Sequence, residues 1–147
     1  MIRKYSKKDH SILIELLRRN TPEYFDHSEE NDFKNYLNNE VEDYFVFEEN
    51  QQILGCGGIN YFPKEKLARI SWDIIDPNFQ GKGIGKKLAE YRLNYLKRNF
   101  EIATVVVRTS QLAYRFYEKL GFELEFVIKD YWAENFDLYQ MKLKNKQ

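Results

Sequence analysis

A chain of 147 residues, 43% hydrophobic and 31% charged, has the length of one domain and enough apolar content for a single core. Its formal net charge is zero, which argues against nucleic acid as the main partner, and no apolar run nears the roughly 18 residues that span a membrane. The lone Cys56 excludes an internal disulfide, and with only His10 and His27 elsewhere the chain has no metal-ligand spacing.

Residues 1–5 read as a short strand. Ser6 and Asp9 form a capping-box pattern ahead of Ile12, Leu13, Leu16 and Leu17, so a helix is expected over 8–20, stopped at Thr21-Pro22. Ser28 is placed to cap a second helix carrying Phe33, Tyr36 and Leu37. Residues 44–47 read as a strand. A turn at Glu49-Asn50-Gln51 leads into a longer one, 53–62, where Gly55-Cys56-Gly57-Gly58 marks a bulge or a close backbone approach. After a turn at 63–66, Ala68, Ile70, Trp72 and Ile74 alternate with Arg69, Ser71, Asp73 and Ile75, a strand pattern that Pro77 ends. Ile84, Leu88, Tyr91 and Tyr95 have helical spacing, and 102–107 is the continuous β-branched run of a buried strand. Ser110 is expected to cap a helix over 111–120 that Gly121 closes. Residues 122–128 and 136–143 are expected to pair around a loop at 129–135. With no linker or repeat, residues 1–147 read as one mixed α/β domain whose helices cover a sheet. The N-terminus has no apolar signal region, so the expectation is a cytoplasmic protein that needs no metal and has neither nucleic acid nor membrane as a partner.

Charge is balanced overall but not locally. Residues 23–49 hold ten acids and one base, Lys34, whereas 81–100 hold six bases and one acid, Glu90. Two solvated helical faces would explain this, as would one side for anions and another for cations.

The most telling segment is Gln80-Gly81-Lys82-Gly83-Ile84-Gly85-Lys86. Glycines let backbone approach a ligand closely, and a loop that opens a helix presents unpaired N–H groups at the positive end of the helix dipole. Together these make an anion cradle, most often for phosphate. No Gly-Lys-Ser/Thr triplet follows, so nothing would hold the Mg²⁺ of a P-loop nucleotidase. The Gly-x-Gly-x-Gly spacing, the intervening Asp76-Pro77-Asn78-Phe79 and the basic Arg108 after the next strand do not fit a dinucleotide fold. A plain turn needs one or two glycines, not three among lysines.

Gln-x-x-Gly-x-Gly opening a helix after a strand that ends near a proline resembles the acetyl-CoA signature of the GNAT superfamily of N-acetyltransferases. Ser110-x-x-Ala113-x-x-Phe116-Tyr117-Glu118-Lys119-Leu120-Gly121-Phe122 resembles that family's later helix-strand segment. The element order is similar over nearly the whole chain. The resemblance implies a mixed, mostly antiparallel sheet of six to seven strands with splayed central strands and four flanking helices. It implies acetyl-CoA as co-substrate and direct transfer of the acetyl group to a primary amine. By resemblance, Gln80, Gly81, Lys82, Gly83, Ile84, Gly85 and Lys86 hold the pyrophosphate of coenzyme A, and Ile74 and Ile75 pair with its pantetheine arm. Ser110 stands where the family more often has Asn, and its hydroxyl can reach the same arm. A non-catalytic coenzyme A-binding module and transfer of another acyl group are the alternatives. Both a monomer and a homodimer fit the family.

Tyr117 matches the tyrosine that assists thiolate departure. With a phenol near about 10 and a thiol near about 8.5, full proton donation is uphill by roughly 2 kcal/mol, so a hydrogen-bond role suits it better. The amine must lose a proton before it attacks. Asp73, on the expected face of Ile75 and Ser71, is the candidate base or a backbone anchor; this role does not come from the family motif, whose residue here is often apolar. Cys56 reads as a small buried thiol, and His10 and His27 as surface residues. The early helices and the last strand pair usually wall the acceptor site, which places Tyr24, Phe25, Ser71, Tyr131 and Trp132 there beside the acidic block. Such a wall suits a small cationic molecule or a peptide amine.

Overall fold

The computed structural model describes residues 1–144. A seven-stranded sheet has the order β1-β2-β3-β4-β5-β7-β6, formed by β1 (Ile2–Lys4), β2 (Asp43–Glu49), β3 (Gln52–Phe62), β4 (Leu67–Ile75), β5 (Thr104–Thr109), β6 (Phe122–Ala133) and β7 (Phe136–Leu143). Every neighbouring pair is antiparallel except β4 and β5. Helices α1 (His10–Arg19) and α2 (Glu29–Asn35) cover one face, and α3 (Ile84–Lys97) and α4 (Tyr114–Lys119) the other. The core is correspondingly split in two. Leu13, Leu17, Phe33, Val46 and Ile74 pack beneath α1 and α2, while Phe45, Ile70, Leu88, Leu96 and Val107 pack beneath α3 and α4.

Two irregularities in β4 shape the molecule. Its parallel pairing with β5 runs only from Leu67↔Thr104 to Ile70↔Val107, after which the strands part. Its register against β3 also shifts, with Gly58 opposite Ser71 but Cys56 opposite Ile74, so β4 carries one extra residue there. Trp72 lies at this bulge with φ 50°, a left-handed conformation that costs a β-carbon residue on the order of 1 kcal/mol or more. The Tyr44 hydroxyl donates to the Trp72 carbonyl at 2.7 Å, and the Trp72 ring packs 4.9 Å from that of Phe33. The bulge breaks the strict alternation expected from the sequence. Ala68 and Ile70 face α3, whereas Trp72 and Ile74 face α1 and α2. Ser71 adjoins the Tyr36 hydroxyl on the latter face, so it does not share the face of Asp73 as the alternation had implied.

Other boundaries moved for local reasons. Ser28 does not cap α2: its hydroxyl donates to Asp26, and the Glu29 carboxylate accepts the Asp26 N–H at 2.9 Å. The second helix also runs on through a wider turn at Tyr36–Glu40. Helix α4 starts at Tyr114 instead of 111, because the Ser110 hydroxyl accepts the Leu112 N–H at 3.2 Å in a turn of its own. The expected loop at 129–135 is mostly strand, since β6 continues with bulges to Ala133, which pairs with Phe136. In α3 the buried stripe is Ile84, Leu88, Arg92 and Leu96, while Tyr91 and Tyr95 are exposed.

The glycine-rich part of β3 follows from close approach. A β-carbon on Gly58 would lie 2.3 Å from the Tyr44 ring and 2.9 Å from the Asp43 carbonyl oxygen. Gly58→Ala is expected to destabilise the fold by about 2 kcal/mol in urea unfolding. A loss below a few tenths of that would mean the strand can move aside.

Candidate active site

Where β4 and β5 part, a cavity of about 580 Å³ opens through the sheet. One end is lined by Gln80, Gly81, Gly83, Gly85 and Lys86 at the start of α3, the other by Tyr24, Phe25, Glu29, Arg69 and Trp132. The two ends meet at Asp73, Ile74, Ile75 and Tyr117.

The glycine loop has the form of an anion cradle. Gly81 and Gly83 have φ of 78° and 83°, and Gly83 precedes the first turn of α3 with no side-chain cap. The N–H groups of that turn are therefore left for a ligand, in a helix of 14 residues whose dipole favours an anion. Gly85 lets the turn pack on α4, since a β-carbon there would meet the Phe116 ring at 3.4 Å. Behind the loop, buried Asp76 accepts the Asn78 N–H at 2.9 Å and pairs with Arg19 at 2.8 Å. Asn20 donates to the Ile75 carbonyl at 3.0 Å, so α1 fixes the end of β4. Lys86 reaches the cavity; Lys82 does not line it, and its ammonium lies 5.4 Å over the Phe79 ring.

At the centre is a triad of buried Tyr117 and Arg92 around the half-buried Asp73. The Tyr117 hydroxyl donates to one oxygen of Asp73, and the Arg92 guanidinium pairs with the other. Arg92 is 1% exposed and also donates to the carbonyls of Leu88 and Gly58, each at 3.0 Å. Burial alone would lower its pKa, but the Asp73 carboxylate outweighs this and keeps it charged. Burial, then the charge of Asp73, push the Tyr117 phenol well above its ordinary value. Gly57 admits the triad: a β-carbon there would lie 2.3 Å from the Asp73 carboxylate and 2.8 Å from the Arg92 guanidinium.

Cys56 is fully buried, and its thiol is pushed up to about 12 by burial, the state of an inert packing group. The Tyr44 oxygen lies 3.3 Å from its sulfur.

The structure gathers most of the residues singled out from the sequence. Asp73 and Tyr117 touch, and Ile74, Ile75, Ser110, Ser71, Tyr24, Phe25 and Trp132 all line the cavity. Phe25 stacks 6.2 Å from Trp72, and the Trp132 indole donates to the Thr109 carbonyl at 3.1 Å. Tyr131 does not line the cavity; it is 45% exposed, on the far side of Trp132. Four of the ten acids in the block are taken up by partners away from the cavity. Glu30 pairs with Arg18 and Lys34, Glu48 with Arg3, and Glu42 and Asp43 bond to Asn60 and Tyr61. Of the block, Glu29 and Glu40 reach the cavity. Glu29 is 6% exposed, and burial raises its carboxyl to about 7.

Arg92 and Glu29 escaped the sequence reading. The signal for Arg92 was its place at i+4 between Leu88 and Leu96 on an apolar stripe, a position that a buried cation takes only with a partner. Replacing Arg92 by Met is expected to cost about 3 kcal/mol in urea unfolding, because Asp73 would stay inside without its counter-ion. Adding Asp73→Asn to that variant should recover much of the loss. Additive losses in the double variant would mean that the two side chains are not coupled.

Comparisons with known proteins agree with this geometry. The model of the acetyltransferase (GNAT) family matches residues 11–122. An uncharacterized N-acetyltransferase of Methanocaldococcus jannaschii is 33% identical over 104 residues, covering 66% of this chain and 46% of that protein. One from Archaeoglobus fulgidus is 43% identical over 58 residues, covering 38% of this chain and 40% of its own. The chain thus matches less than half the length of these curated relatives. Among solved structures, a GNAT-family protein from Desulfovibrio desulfuricans superposes with TM-score 0.83 at 17% identity, covering 100% of this chain and 99% of that one. The ribosomal-protein-S18-alanine N-acetyltransferase of Escherichia coli gives 0.80 at 20%, covering 97% and 92%. An aminoglycoside 6'-N-acetyltransferase complexed with coenzyme A gives 0.76 at 15%, covering 100% and 97%. Fold and family model together place this chain in the GNAT acetyltransferase family.

Proposed function

We propose that this chain is an acetyl-CoA-dependent N-acetyltransferase that moves the acetyl group in one step to a primary amine of a small cationic molecule or peptide. One observation carries the reading: a single cavity joins the uncapped start of α3, the Tyr117–Asp73 contact and a separate aromatic wall. The N–H groups around Gly81, Gly83 and Gly85 suit the pyrophosphate of the donor, with Lys86 adding charge. The gap between β4 and β5 admits the pantetheine arm between Ile74, Ile75 and Ser110. The thioester then lies near Tyr117, and the amine enters past Tyr24, Phe25, Ser71 and Trp132.

In the step itself the amine nitrogen bonds to the carbonyl carbon, the C–S bond breaks and the thiolate of coenzyme A leaves. The high pKa of Tyr117 makes full proton donation to sulfur more costly than the roughly 2 kcal/mol of a free phenol, so the phenol acts as a hydrogen-bond donor. At rest it donates to Asp73. When it turns toward the sulfur, Asp73 keeps its charge paired with Arg92. Hydrogen-bonded to Tyr117 and ion-paired with Arg92, Asp73 is suited to position Tyr117. Glu29, in the cavity wall with a carboxyl near about 7, is the group suited to accept that proton. Cys56, fully buried with its thiol pushed up by that burial, is poorly suited to carry the acetyl group.

Tyr117→Phe is expected to lower kcat by on the order of a hundredfold while calorimetry finds coenzyme A affinity nearly unchanged. An unchanged turnover would remove its assigned role. Because Glu29 must be ionised to take a proton, kcat/KM is expected to rise with pH through about 7. Glu29→Gln should lower that plateau and abolish this limb. If the limb persists in the variant, another group is the base.

A further inference from the structure

The acceptor end of the cavity holds two cations that the amine itself does not call for. Arg69 and Arg108 both line it. Arg69 lies opposite Val106 in the parallel pair, and Arg108 is two residues further along β5, where the strands have parted. Their neighbours Ala68, Ile70 and Val107 pack beneath α3, so both arginines project from the opposite, α2-covered face of adjacent strands. Each guanidinium is held by an aromatic ring: Arg69 lies 4.8 Å over Phe62, and Arg108 lies 5.0 Å over Tyr131 and 5.9 Å over Trp132. Stacking fixes the plane of a guanidinium and leaves its N–H edge free to bind an oxyanion. Among the described residues neither group has a carboxylate within ion-pair distance or a side-chain hydrogen bond. The acids that reach the cavity do not pair with either arginine: Glu40 accepts from Asn35 at 2.9 Å, and one oxygen of Glu29 accepts the Asp26 N–H.

This arrangement is costly when empty. Burial, and then the charge of Arg108, hold the Arg69 guanidinium below its ordinary pKa. Two like charges at a half-buried site repel, and an oxyanion between them would relieve the repulsion while accepting from both guanidinium edges. A polyamine or an unmodified aminosugar, which carries only positive charge, would add to the repulsion.

We propose that the acceptor carries an oxyanion, a carboxylate or phosphate, as well as its reactive amine, and that Arg69 and Arg108 hold that group while the amine faces Glu29 and the thioester. This rests on the N-acetyltransferase reading above and narrows its amine to one with a nearby negative group. The stacking of Tyr131 on Arg108 also gives that tyrosine a part in the acceptor site from outside the cavity.

The test uses matched acceptors with acetyl-CoA, reading thiol release and product mass. The pairs are α-amino acids against their carboxamides and O-phosphoethanolamine against ethanolamine, with spermidine as the purely cationic acceptor. The anionic member of one pair should exceed its neutral partner by about tenfold or more in kcat/KM, and the responding pair tells carboxylate from phosphate. Arg108→Gln and Arg69→Gln should collapse that ratio through KM, and Arg108→Lys should keep part of it. Coenzyme A affinity by calorimetry checks that each variant is folded. Equal or better turnover of the neutral members and spermidine, or an unchanged ratio in both Gln variants, overturns the inference and leaves the acetyltransferase reading standing. Coenzyme A binding with no thiol release for any amine overturns both.

Discussion

A guanidinium is held out of water and paired with a half-buried carboxylate at the point where the sheet opens, and much of the structure is arranged to make that tolerable. Asp73 comes from β4, Arg92 from α3 and Tyr117 from α4, so the pair and its phenol tie three elements together at one place. Removing one partner leaves an uncompensated buried charge, which is why such a group constrains its surroundings more than apolar contacts of equal size. Gly57 leaves room for it, the Leu88 and Gly58 carbonyls take two further guanidinium protons, and the bulge at Trp72 turns Asp73 toward α3.

The same bulge links packing to function. By adding a residue to β4 it puts Ser71 and Trp72 on the α2-covered side and Asp73 on the side of Tyr117. The left-handed backbone of Trp72 is held by the Tyr44 hydroxyl and by the rings of Phe25, Phe33 and Tyr36. Strain kept in place by surrounding contacts is common where a strand must present side chains to a ligand. Beyond the bulge β4 no longer pairs with β5, and the open seam becomes the passage between the two ends of the cavity.

The order of elements was legible in the sequence because each strand and helix carries its own period. The glycine loop and the segment from Ser110 to Phe122 were legible because their spacing is rigid. What was not legible depends on tertiary context. Alternation in β4 assumed a regular strand, and nothing local to residues 68–75 announces the bulge. Ser110 carries the residue type of a helix cap, yet its hydroxyl closes a turn and the helix begins later. Tyr91 and Tyr95 fit a helical stripe as well as Arg92 does, and hydrophobicity favoured the wrong residues. The acidic block looked like one surface, but Glu30, Glu42, Asp43 and Glu48 meet partners far away in sequence, and Glu29 lies inside. Arg69 and Arg108 lie 39 positions apart, and only the parallel pairing of β4 with β5 sets them side by side.

Transfer without an acyl-enzyme is the central proposal, and it rests on one cavity that joins the glycine loop to the aromatic wall, beside a buried thiol with a raised pKa. Steady-state rates measured over a grid of acetyl-CoA and acceptor concentrations test it most directly. The account predicts intersecting double-reciprocal lines and no acetylated protein by intact mass when acetyl-CoA is supplied without acceptor. Parallel lines with an acetyl group found on Cys56 would contradict it.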